Sequence, residues 1–295
     1  MILDVLVEAT RRRIAAQKAV LPPEELRRQA EELCRQKKRC PGEEQTGGSR
    51  QRFEAARDRA SGREEFLFEK TLRGGELRFI CEVKKASPSK GVIAEDFPYL
   101  QIAQDYEAAG ADCLSVLTET DYFLGSDDYF REIRGAVGLP MLRKDFTIDP
   151  YMIYQAKVMG ADAVLLICAV LDAGELRDYL SLCSSLGLTA LVETHDEAEV
   201  EAAVRAGARV LGVNNRNLKT FEVDLSTSAR LRRLVPEDIL FVAESGIRDA
   251  QDIARLREAG VNGVLIGETL MRSPDKKAAL AALRDSGEKS RQEEM

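Results

Sequence analysis

Lysine and glutamate side chains end several of the short apolar segments in this 295-residue chain. Glu82 and Lys84 end the first segment, Lys144 the third and Glu193 the fifth. Alternate residues of a strand face the same side, so Glu82 and Lys84 share one face. A positioned ammonium donates a proton and a carboxylate accepts one, which indicates acid–base chemistry. For Glu82 and Lys84 taken alone, a structural ion pair is the alternative.

The last three apolar segments also end in polar residues or glycine. They are Asn214 and Arg216 after the sixth, Glu244, Ser245 and Gly246 after the seventh, and Gly267 and Glu268 after the eighth. Glycine lets the backbone approach an oxyanion, and a following helix N-terminus directs N–H groups toward it. We expect the last two loops to cradle a phosphate group, with ordinary glycine turns as the alternative.

A repeated pattern positions these residues. Four segments run from a helical stretch through a small-residue turn into an apolar strand, namely EAAGADCLSVL (107–117), KVMGADAVLLI (157–167), VRAGARVLGV (204–213) and REAGVNGVLIG (257–267). In each of them a glycine takes the left-handed position that ends a helix: Gly110, Gly160, Gly207 and Gly260. The strands are near-continuous apolar runs, which is typical of parallel strands buried on both faces.

Four further apolar segments, at 79–84, 139–145, 188–193 and 239–245, bring the number of predicted strands to eight. Each strand is followed by a predicted helix. These helices are predicted to start near Tyr99, Asp127, Pro150, Asp172, Asp196, Leu225, Asp249 and Asp275. Eight β–α units predict an α/β fold, a single (β/α)8 TIM barrel, whose functional groups lie at the C-terminal ends of the strands. An open doubly wound sheet is the alternative, but the chain has no glycine-rich dinucleotide loop to favour it.

The barrel is predicted over residues 79–285. Residues 1–78 are predicted to form a helical extension packed on the barrel, with a polar linker near 40–50 and a further helical segment over 51–72. Residues 286–295 have no core-forming pattern, and we predict a disordered tail.

Charge and hydropathy exclude several classes of partner. The net charge of −7 argues against nucleic acid as the main partner, although a local basic cluster can still bind a small anion. No apolar run approaches the length of about 18 residues that spans a membrane. The N-terminus is apolar first and basic second, the reverse of a secretory signal, so we predict a cytoplasmic protein.

Cysteine and histidine content limits the metal chemistry. The cysteines form no CxxC pair and are predicted to be reduced and mostly buried, with Cys34 and Cys40 as an alternative metal or disulfide pair. His195 is the one histidine of the sequence, which excludes a site that needs two histidine ligands. It precedes a helix start, and we expect it to be exposed to solvent.

Three loops add candidate binding residues. Ser87 and Pro88 lie in SPSKG after the first strand, Phe123 follows the second and Phe146 the third. An aromatic side chain at the barrel mouth either covers the core or lines a pocket for a ring, and the spacing alone leaves both open.

Successive motifs along the barrel resemble the indole-3-glycerol-phosphate synthases. They are CEVKKASPSKG (81–91), LTETDYFLGS (117–126), LRKDF (142–146), GADAVLLI (160–167), LVETH (191–195), GVNNRNLKTFEVDL (212–225), VAESGI (242–247) and LIGETLMR (265–272). They occur in the family's order over about 70–285, and the set is specific although single motifs recur in other phosphate-binding barrels.

The resemblance implies the substrate 1-(2-carboxyphenylamino)-1-deoxyribulose 5-phosphate, ring closure with loss of CO2 and then of water, and no cofactor or metal. It implies that Lys144 protonates the ketone oxygen and that Lys84 serves the dehydration. Glu193, with Glu82 nearby, resembles the carboxylate that handles protons on the amine and the leaving hydroxyl. Asn214 resembles a further catalytic group that binds carboxylate or hydroxyl.

The resemblance also implies the binding residues. Those for the phosphate and anionic groups are Arg216, Ser245, Gly246, Gly267 and Glu268. Those near the aromatic ring are Pro88, Phe123, Phe146, Leu165 and Leu218. Ser87 and Glu244 are further substrate-binding candidates. Many family members have a small hydroxyl residue where this chain has Glu268, so we expect its backbone N–H to serve and its side chain to turn away. Residues 21–60 match the family only loosely.

Two other functions remain as alternatives. One is another phosphosugar barrel enzyme, such as a phosphoribosylanthranilate isomerase or an aldolase with a Schiff-base lysine. The other is a non-catalytic binding protein, which would be expected to lose one of Lys84, Lys144 or Glu193. We expect a monomer or weak homo-oligomer that binds a small anionic phosphosugar–anthranilate substrate, without nucleic acid or membrane partners.

The Arg216→Lys variant tests the predicted anion contact. Lysine keeps the charge but loses the planar fork that matches a carboxylate, so substrate binding should weaken by roughly 1–3 kcal/mol. Steady-state kinetics measure this as a raised Michaelis constant, and an unchanged constant would exclude Arg216 as a carboxylate ligand.

Overall fold

The computed structural model describes residues 2–39 and 65–284. Eight parallel strands form a closed barrel in the order β1–β10–β9–β8–β7–β6–β5–β4, and β1 pairs with β4 to complete the circle. Their bounds are β1 (Arg78–Val83), β4 (Cys113–Leu117), β5 (Met141–Lys144), β6 (Ala163–Ile167), β7 (Thr189–Thr194), β8 (Val210–Asn214), β9 (Leu240–Glu244) and β10 (Gly263–Ile266). The predicted (β/α)8 barrel is confirmed, and closure rules out the doubly wound sheet.

Helices surround the barrel and extend it at both ends of the described chain. They are α1 (Ile2–Val20), α2 (Pro23–Arg39), α3 (Leu67–Leu72), α4 (Tyr99–Ala108), α5 (Asp127–Ala136), α6 (Pro150–Val158), α7 (Ala173–Ser185), α8 (Glu197–Ala206), α9 (Ser226–Arg232), α10 (Ala250–Glu258), α11 (Glu268–Arg272) and α12 (Lys276–Arg284). The short hairpin β2 (Ala86–Ser87) and β3 (Gly91–Val92), within the loop after β1, has no counterpart in the sequence prediction.

Polar N-cap residues begin five helices of the barrel, α5, α6, α7, α8 and α10. The side chains of Asp149, Asp172, Asp196 and Asp249 accept backbone N–H bonds from the first turn that follows, and Ser126 does the same before α5. These bonds satisfy N–H groups that otherwise have no partner within a helix. Helix starts are therefore encoded locally, and the observed starts agree with the sequence prediction.

Four glycines end helices in the left-handed region, as the repeated pattern predicts. Their φ angles are 85° at Gly110, 83° at Gly160, 90° at Gly207 and 75° at Gly260. Because L side chains rarely adopt this conformation, each glycine lets the chain turn from helix to strand within a few residues.

Alternation along the strands places every second side chain inside the barrel. The interior core consists of Phe68, Leu72, Ile80, Cys113, Leu142, Ala163, Leu165, Ile167, Leu191, Val210, Leu240, Val242 and Leu265. On β1 the inward sequence runs from Ile80 to Glu82, and on β7 from Leu191 to Glu193. The interior is thus apolar at its lower levels and polar at the carboxyl ends of the strands.

Helix α3 closes the opposite, amino-terminal end of the barrel. Phe68 and Leu72 belong to the interior core, and the backbone N–H of Glu69 donates to the hydroxyl of Thr189, the first residue of β7. Its apolar residues therefore cover the end of the barrel that carries no candidate site.

Helices α1 and α2 pack against the outside of the barrel. Ile14 and Leu26 form one apolar cluster with Tyr151 and Met152 of α6. Domain boundaries near residues 78 and 285 stay a prediction. The predicted linker at 40–50, most of the helical segment at 51–72 and the predicted tail at 286–295 lie outside the described residues.

The described cysteines carry free thiols. Cys81, Cys113 and Cys183 are buried, while Cys34 and Cys168 are partly buried, in agreement with the predicted mostly buried thiols. Cys40, the second member of the alternative pair, lies outside the described residues. No helix in the described ranges is long and apolar enough to cross a membrane.

The Gly207→Ala variant tests the glycine C-caps. A Cβ there has no neighbour within 4 Å, so only the left-handed backbone opposes it. The free energy of unfolding should fall by about 1 kcal/mol, measured by urea denaturation. The control is Gly138→Ala, whose φ is not left-handed and whose Cβ meets only Glu107 Oε1 at 3.4 Å. Equal effects of the two substitutions would contradict the argument.

Candidate active site

A cavity of about 610 Å³ opens at the carboxyl ends of the barrel strands, a size usual for small-molecule sites. Every residue that the sequence singled out for a site lines it. The proposed catalytic set is Lys84, Lys144, Glu193, Glu82 and Asn214, and the proposed binding set is Ser87, Pro88, Phe123, Phe146, Leu165, Arg216, Leu218, Glu244, Ser245, Gly246, Gly267 and Glu268. The closed barrel brings together residues spread over most of the chain.

Lys144 lies between two carboxylates that enter from other strands. Its Nζ donates to Glu244 Oε2 at 2.8 Å and to Glu193 Oε2 at 3.3 Å, and all three side chains are largely buried. Burial alone would lower the pKa of Lys144, but attraction to Glu244 and Glu193 raises it. The sequence left open whether cations or carboxylates prevail here, and the structure shows that the carboxylates do.

The two carboxylates around Lys144 differ in their pKa. Burial raises the pKa of Glu244 to about 7, with repulsion from Glu193 adding to it. For Glu193 burial acts in the same direction, yet Lys144, His195 and Asn214 together hold its pKa well below the ordinary value. Of this pair, Glu193 is therefore the firmly ionised carboxylate and Glu244 the one that takes up a proton near neutral pH.

Glu82 and Lys84 form an ion pair on the inner face at the end of β1. Glu82 is buried, and the hydroxyl of Ser115 lies 3.5 Å from its second oxygen. Gly267 of the last barrel loop packs directly on this pair, since a Cβ at Gly267 would lie 2.4 Å from Glu82 Oε1 and 2.9 Å from Lys84 Nζ. Glycine at 267 thus leaves the space that the ion pair occupies.

Asparagine side chains order the end of β8. Asn214 Nδ2 donates to Glu193 Oε1 at 3.2 Å, and its Oδ1 accepts the backbone N–H of Arg216 at 3.1 Å. Asn215 points the other way and donates to the carbonyl oxygens of Glu244 and Ser245 at 3.0 and 3.2 Å. No local sequence signal marks Asn215, because its role depends on a neighbouring strand.

The loop after β9 has a left-handed backbone at two successive residues. The φ angle is 66° at Ser245 and 83° at Gly246, and a Cβ at Gly246 would lie 2.2 Å from Val223 Cγ1. A residue other than glycine at 246 would both strain the chain and displace Val223. This compact turn lies beside the cavity and next to the loop that begins α11 at Glu268, because β9 and β10 are paired neighbours.

Glu268 is paired with cations. Its Oε1 accepts a bond from Arg272 Nε at 3.1 Å, one turn further along α11, and lies 3.4 Å from Lys90 Nζ. Burial alone would raise its pKa, but Arg272 and Lys90 lower it. The carboxylate is therefore ionised and neutralised by neighbours, which limits its repulsion toward an anion in the cavity.

Phe123 and Phe146 form an aromatic wall, with ring centroids 6.2 Å apart at an interplanar angle of 52°. Phe146 both packs against the interior core and lines the cavity, so the two roles that the sequence left open coexist there. The buried carboxylate of Glu119 accepts the backbone N–H groups of Asp121, Tyr122 and Phe123 at 2.8–3.0 Å. Glu119, which the sequence analysis missed, thereby shapes the loop that carries Phe123.

Two further features depart from the sequence analysis. Ile2, Leu3 and Leu6 of α1 also line the cavity, and no local signal marks them, because a helix face does not show which surface it will cover. His195 was expected to be exposed, but its side chain is only 16% exposed and lies between Glu193 and Glu199. Among residues 2–39 and 65–284, no group of three His, Cys, Asp or Glu side chains is placed to hold a metal ion.

This chain has a (β/α)8 barrel with paired acidic and basic side chains at the carboxyl ends of its strands. These features are typical of barrel enzymes that act on small molecules. A family model for indole-3-glycerol phosphate synthase matches residues 26–283. The chain belongs to the indole-3-glycerol phosphate synthase family, whose members are carboxy-lyases of tryptophan biosynthesis.

Two curated relatives illustrate the likeness. The indole-3-glycerol phosphate synthase of Ruminiclostridium cellulolyticum is 63% identical over 221 residues, which cover 75% of this chain and 85% of the relative. That of Lachnoclostridium phytofermentans is 47% identical over 284 residues, covering 96% of this chain and 99% of the relative.

Solved structures with low identity share the fold alone. 3-Hexulose-6-phosphate synthase has a TM-score of 0.57 at 14% identity and covers 71% of this chain and 99% of its own. Thiamine phosphate pyrophosphorylase from Pyrococcus furiosus has a TM-score of 0.56 at 15% identity and covers 75% and 98% respectively.

The Gly212→Ala variant tests the space that holds Glu244. A Cβ at Gly212 would lie 2.2 Å from Glu244 Oε1 and 3.3 Å from Leu191 Cδ1, so the carboxylate that contacts Lys144 through Oε2 must shift. Such overpacking should cost about 1–3 kcal/mol of unfolding free energy and reduce indole formation at least tenfold. Urea denaturation and an activity assay measure the two effects. Wild-type values for both would show that Glu244 needs no open space over Gly212.

Proposed function

We propose that this chain closes the indole ring of 1-(2-carboxyphenylamino)-1-deoxyribulose 5-phosphate and releases CO2 and water. The observation that carries the proposal is Lys144, a buried ammonium kept protonated by Glu193 and Glu244 and placed beside an aromatic-walled cavity. A proton donor at that place is what the addition to a ketone needs, because negative charge develops on the ketone oxygen.

The two ends of the cavity suit the two ends of this substrate. Phosphate in barrel enzymes usually binds at the loops after the last two strands and at a short extra helix, which correspond here to Ser245–Gly246, Gly267 and α11. Phe123 and Phe146, together with Pro88, Leu165 and Leu218, provide apolar surface for the anthranilate ring. Arg216, at the end of β8, is the proposed partner of the carboxylate or a hydroxyl.

Ring closure forms a bond between the ring carbon that bears the carboxylate and the ketone carbon. Lys144 gives a proton to the ketone oxygen, which becomes a hydroxyl. The carboxylate then leaves as CO2, and the electron pair of the broken bond returns to the ring and restores its aromaticity. For this step the substrate must bend so that its ring approaches its ketone carbon. The phosphate-binding loops hold one end of the substrate and the aromatic wall holds the other.

Dehydration completes the reaction. Lys84 protonates the new hydroxyl, which leaves as water, and Glu193 accepts the proton that the five-membered ring loses. One proton is consumed over both steps, since two lysines donate and one carboxylate accepts. Glu82 holds Lys84 in place through their ion pair, and Asn214 fixes the orientation of Glu193 through its bond to Oε1.

The decisive experiment adds the carboxyphenylamino-deoxyribulose phosphate to the purified chain and follows indole fluorescence. The chain has no tryptophan, so the protein background is low. Borohydride trapping of a covalent substrate adduct would instead favour an aldolase, and binding without turnover would favour a non-catalytic barrel. The monomeric or weakly associated state, the cytoplasmic location and the lack of nucleic acid partners stay predictions.

The Lys144→Ala variant should lose turnover by at least about 10²-fold while still binding a product analogue, because proton donation acts only in the transition state. The variant should fold, since Glu244 has a pKa of about 7 and takes up a proton when the ammonium is gone. Single-turnover kinetics and a binding titration on one sample measure the two properties.

Lys85→Ala is the matched control for Lys144→Ala. Lys85 follows Lys84 directly but is not among the cavity residues, so its removal should leave turnover unchanged. Near-normal turnover of Lys144→Ala would exclude Lys144 as the acid and leave Lys84 as the strand-end lysine that could take its place.

A further inference from the structure

His195 lies between two carboxylates behind the proposed proton acceptor. Its Nε2 is 3.2 Å from Glu193 Oε1, and its Nδ1 is 3.0 Å from Glu199 Oε2. The same Glu199 oxygen also accepts the backbone N–H of His195 at 2.8 Å, so Glu199 fixes both the backbone and the ring. Glu199 of α8 thus sets the orientation of the ring, and Nε2 faces Glu193 of β7.

The arrangement implies an imidazolium cation. An ionised carboxylate only accepts hydrogen bonds, and here one faces each ring nitrogen. A neutral imidazole would turn a lone pair toward one of the two carboxylates. The contact between Nε2 and Glu193 Oε1 lacks hydrogen-bond alignment, so it is an ion-pair contact that favours a charged ring. Burial alone would lower the pKa of His195, but Glu193 and Glu199 raise it to about 10.

Glu193 and Glu199 are the charged side chains that act on the ring most strongly. Glu193 of β7 and Glu199 of α8 contact the ring, and Lys144 lies on the other side of Glu193. Cys168 after β6 and Asp196 before α8 are further titratable groups near these two carboxylates. Burial raises the pKa of Cys168 to about 12, so its thiol stays neutral. Three anionic side chains and one ammonium thus set the field, and they favour the protonated ring.

The charge of His195 becomes important for Glu193 during the proposed reaction. Lys144 contacts Glu193 Oε2, whereas His195 contacts the other oxygen, Oε1, which also accepts the bond from Asn214. When Lys144 gives its proton to the substrate, its attraction for Glu193 ends. His195 does not take part in that transfer, so its charge persists beside Glu193.

We propose that His195, oriented by Glu199, is a positioning residue that keeps Glu193 ionised and directed into the cavity after Lys144 has donated its proton. The inference rests on the proposed role of Glu193 as proton acceptor. His195 does not itself touch the reacting atoms. Its part is to supply a fixed positive charge that the chemistry does not consume.

Nitrogen NMR of the untagged chain tests the charge directly. His195 is the single histidine of the sequence, so ring signals from ¹⁵N-histidine-labelled protein need no assignment. Both ring nitrogens should stay protonated at pH 8 without substrate, and Glu199→Gln should move the titration down toward the ordinary histidine range. The control Glu201→Gln makes the same charge change on an exposed site of α8 and should leave the titration in place. A wild-type ring that titrates near pH 6.5 overturns the proposal.

The kinetic test uses His195→Gln, which keeps an N–H donor but no charge. The acidic limb of its kcat profile should move up by about one pH unit, with kcat lowered and KM little changed, because a lost cation raises the pKa of a carboxylate. An unmoved acidic limb, or equal losses in kcat and KM at every pH, overturns the proposal. Should His195→Gln not fold, the NMR titration of wild type against Glu199→Gln still decides whether the ring is charged, and a neutral ring at pH 8 in the wild type overturns the proposal.

The two levels of proposal fail differently. If the wild-type chain forms no indole, the proposed function is wrong whatever the NMR titration shows. If the wild type is active but Glu193→Gln retains full turnover, Glu193 is not the acceptor and the inference about His195 falls with it. If both hold and the histidine is neutral, only the inference is wrong.

Discussion

The ammonium of Lys144 between Glu193 and Glu244 is the interaction around which the upper interior of the barrel is organised. An uncompensated charge is costly in a low-dielectric interior, and removing one partner of such a pair typically costs about 3–5 kcal/mol. Removing either Lys144 or its carboxylate partners would therefore leave a buried charge without compensation. The same interaction makes the site chemically asymmetric, because one ammonium is shared by two carboxylates and Glu193 has the further partners His195 and Asn214.

Small residues around this group are explained by the space that it requires. Gly212 lies where a Cβ would strike Glu244, and Gly267 lies where a Cβ would strike Glu82. Neither position has a left-handed backbone, so the need for glycine here is steric rather than conformational. The glycines that end helices are required for a conformational reason instead. At Gly110, Gly207 and Gly260 a Cβ would have open space, but the backbone is left-handed and favours glycine.

Buried polar contacts also connect α1 to the site. Nη2 of Arg13 donates to both carboxylate oxygens of Asp145, at 2.7 and 2.8 Å. Asp145 lies between Lys144 and Phe146 in the sequence. Asp145 further accepts a bond from the Thr118 hydroxyl at 2.5 Å. The loop after β5, which follows the proposed acid and carries half of the aromatic wall, is thus held from outside the barrel, and the same helix contributes Leu3 and Leu6 to the cavity.

The sequence by itself determined the elements and the candidate residues. Helix starts at Asp and Ser caps, left-handed glycines and buried strands depend on neighbours a few residues away, so local patterns sufficed to predict the (β/α)8 barrel. Strand period and position placed Glu82, Lys144, Glu193 and Glu244 at the end where barrels carry their sites. Which charges pair was decided only by the tertiary structure, because the partners come from strands up to 100 residues apart. The same holds for His195, whose environment depends on how α8 turns back over β7, and for Ile2 and Leu3, whose place at the cavity depends on how α1 docks. Local sequence reports conformation and side-chain chemistry, whereas distances between strands, and the pKa values that depend on them, exist only once the barrel has closed.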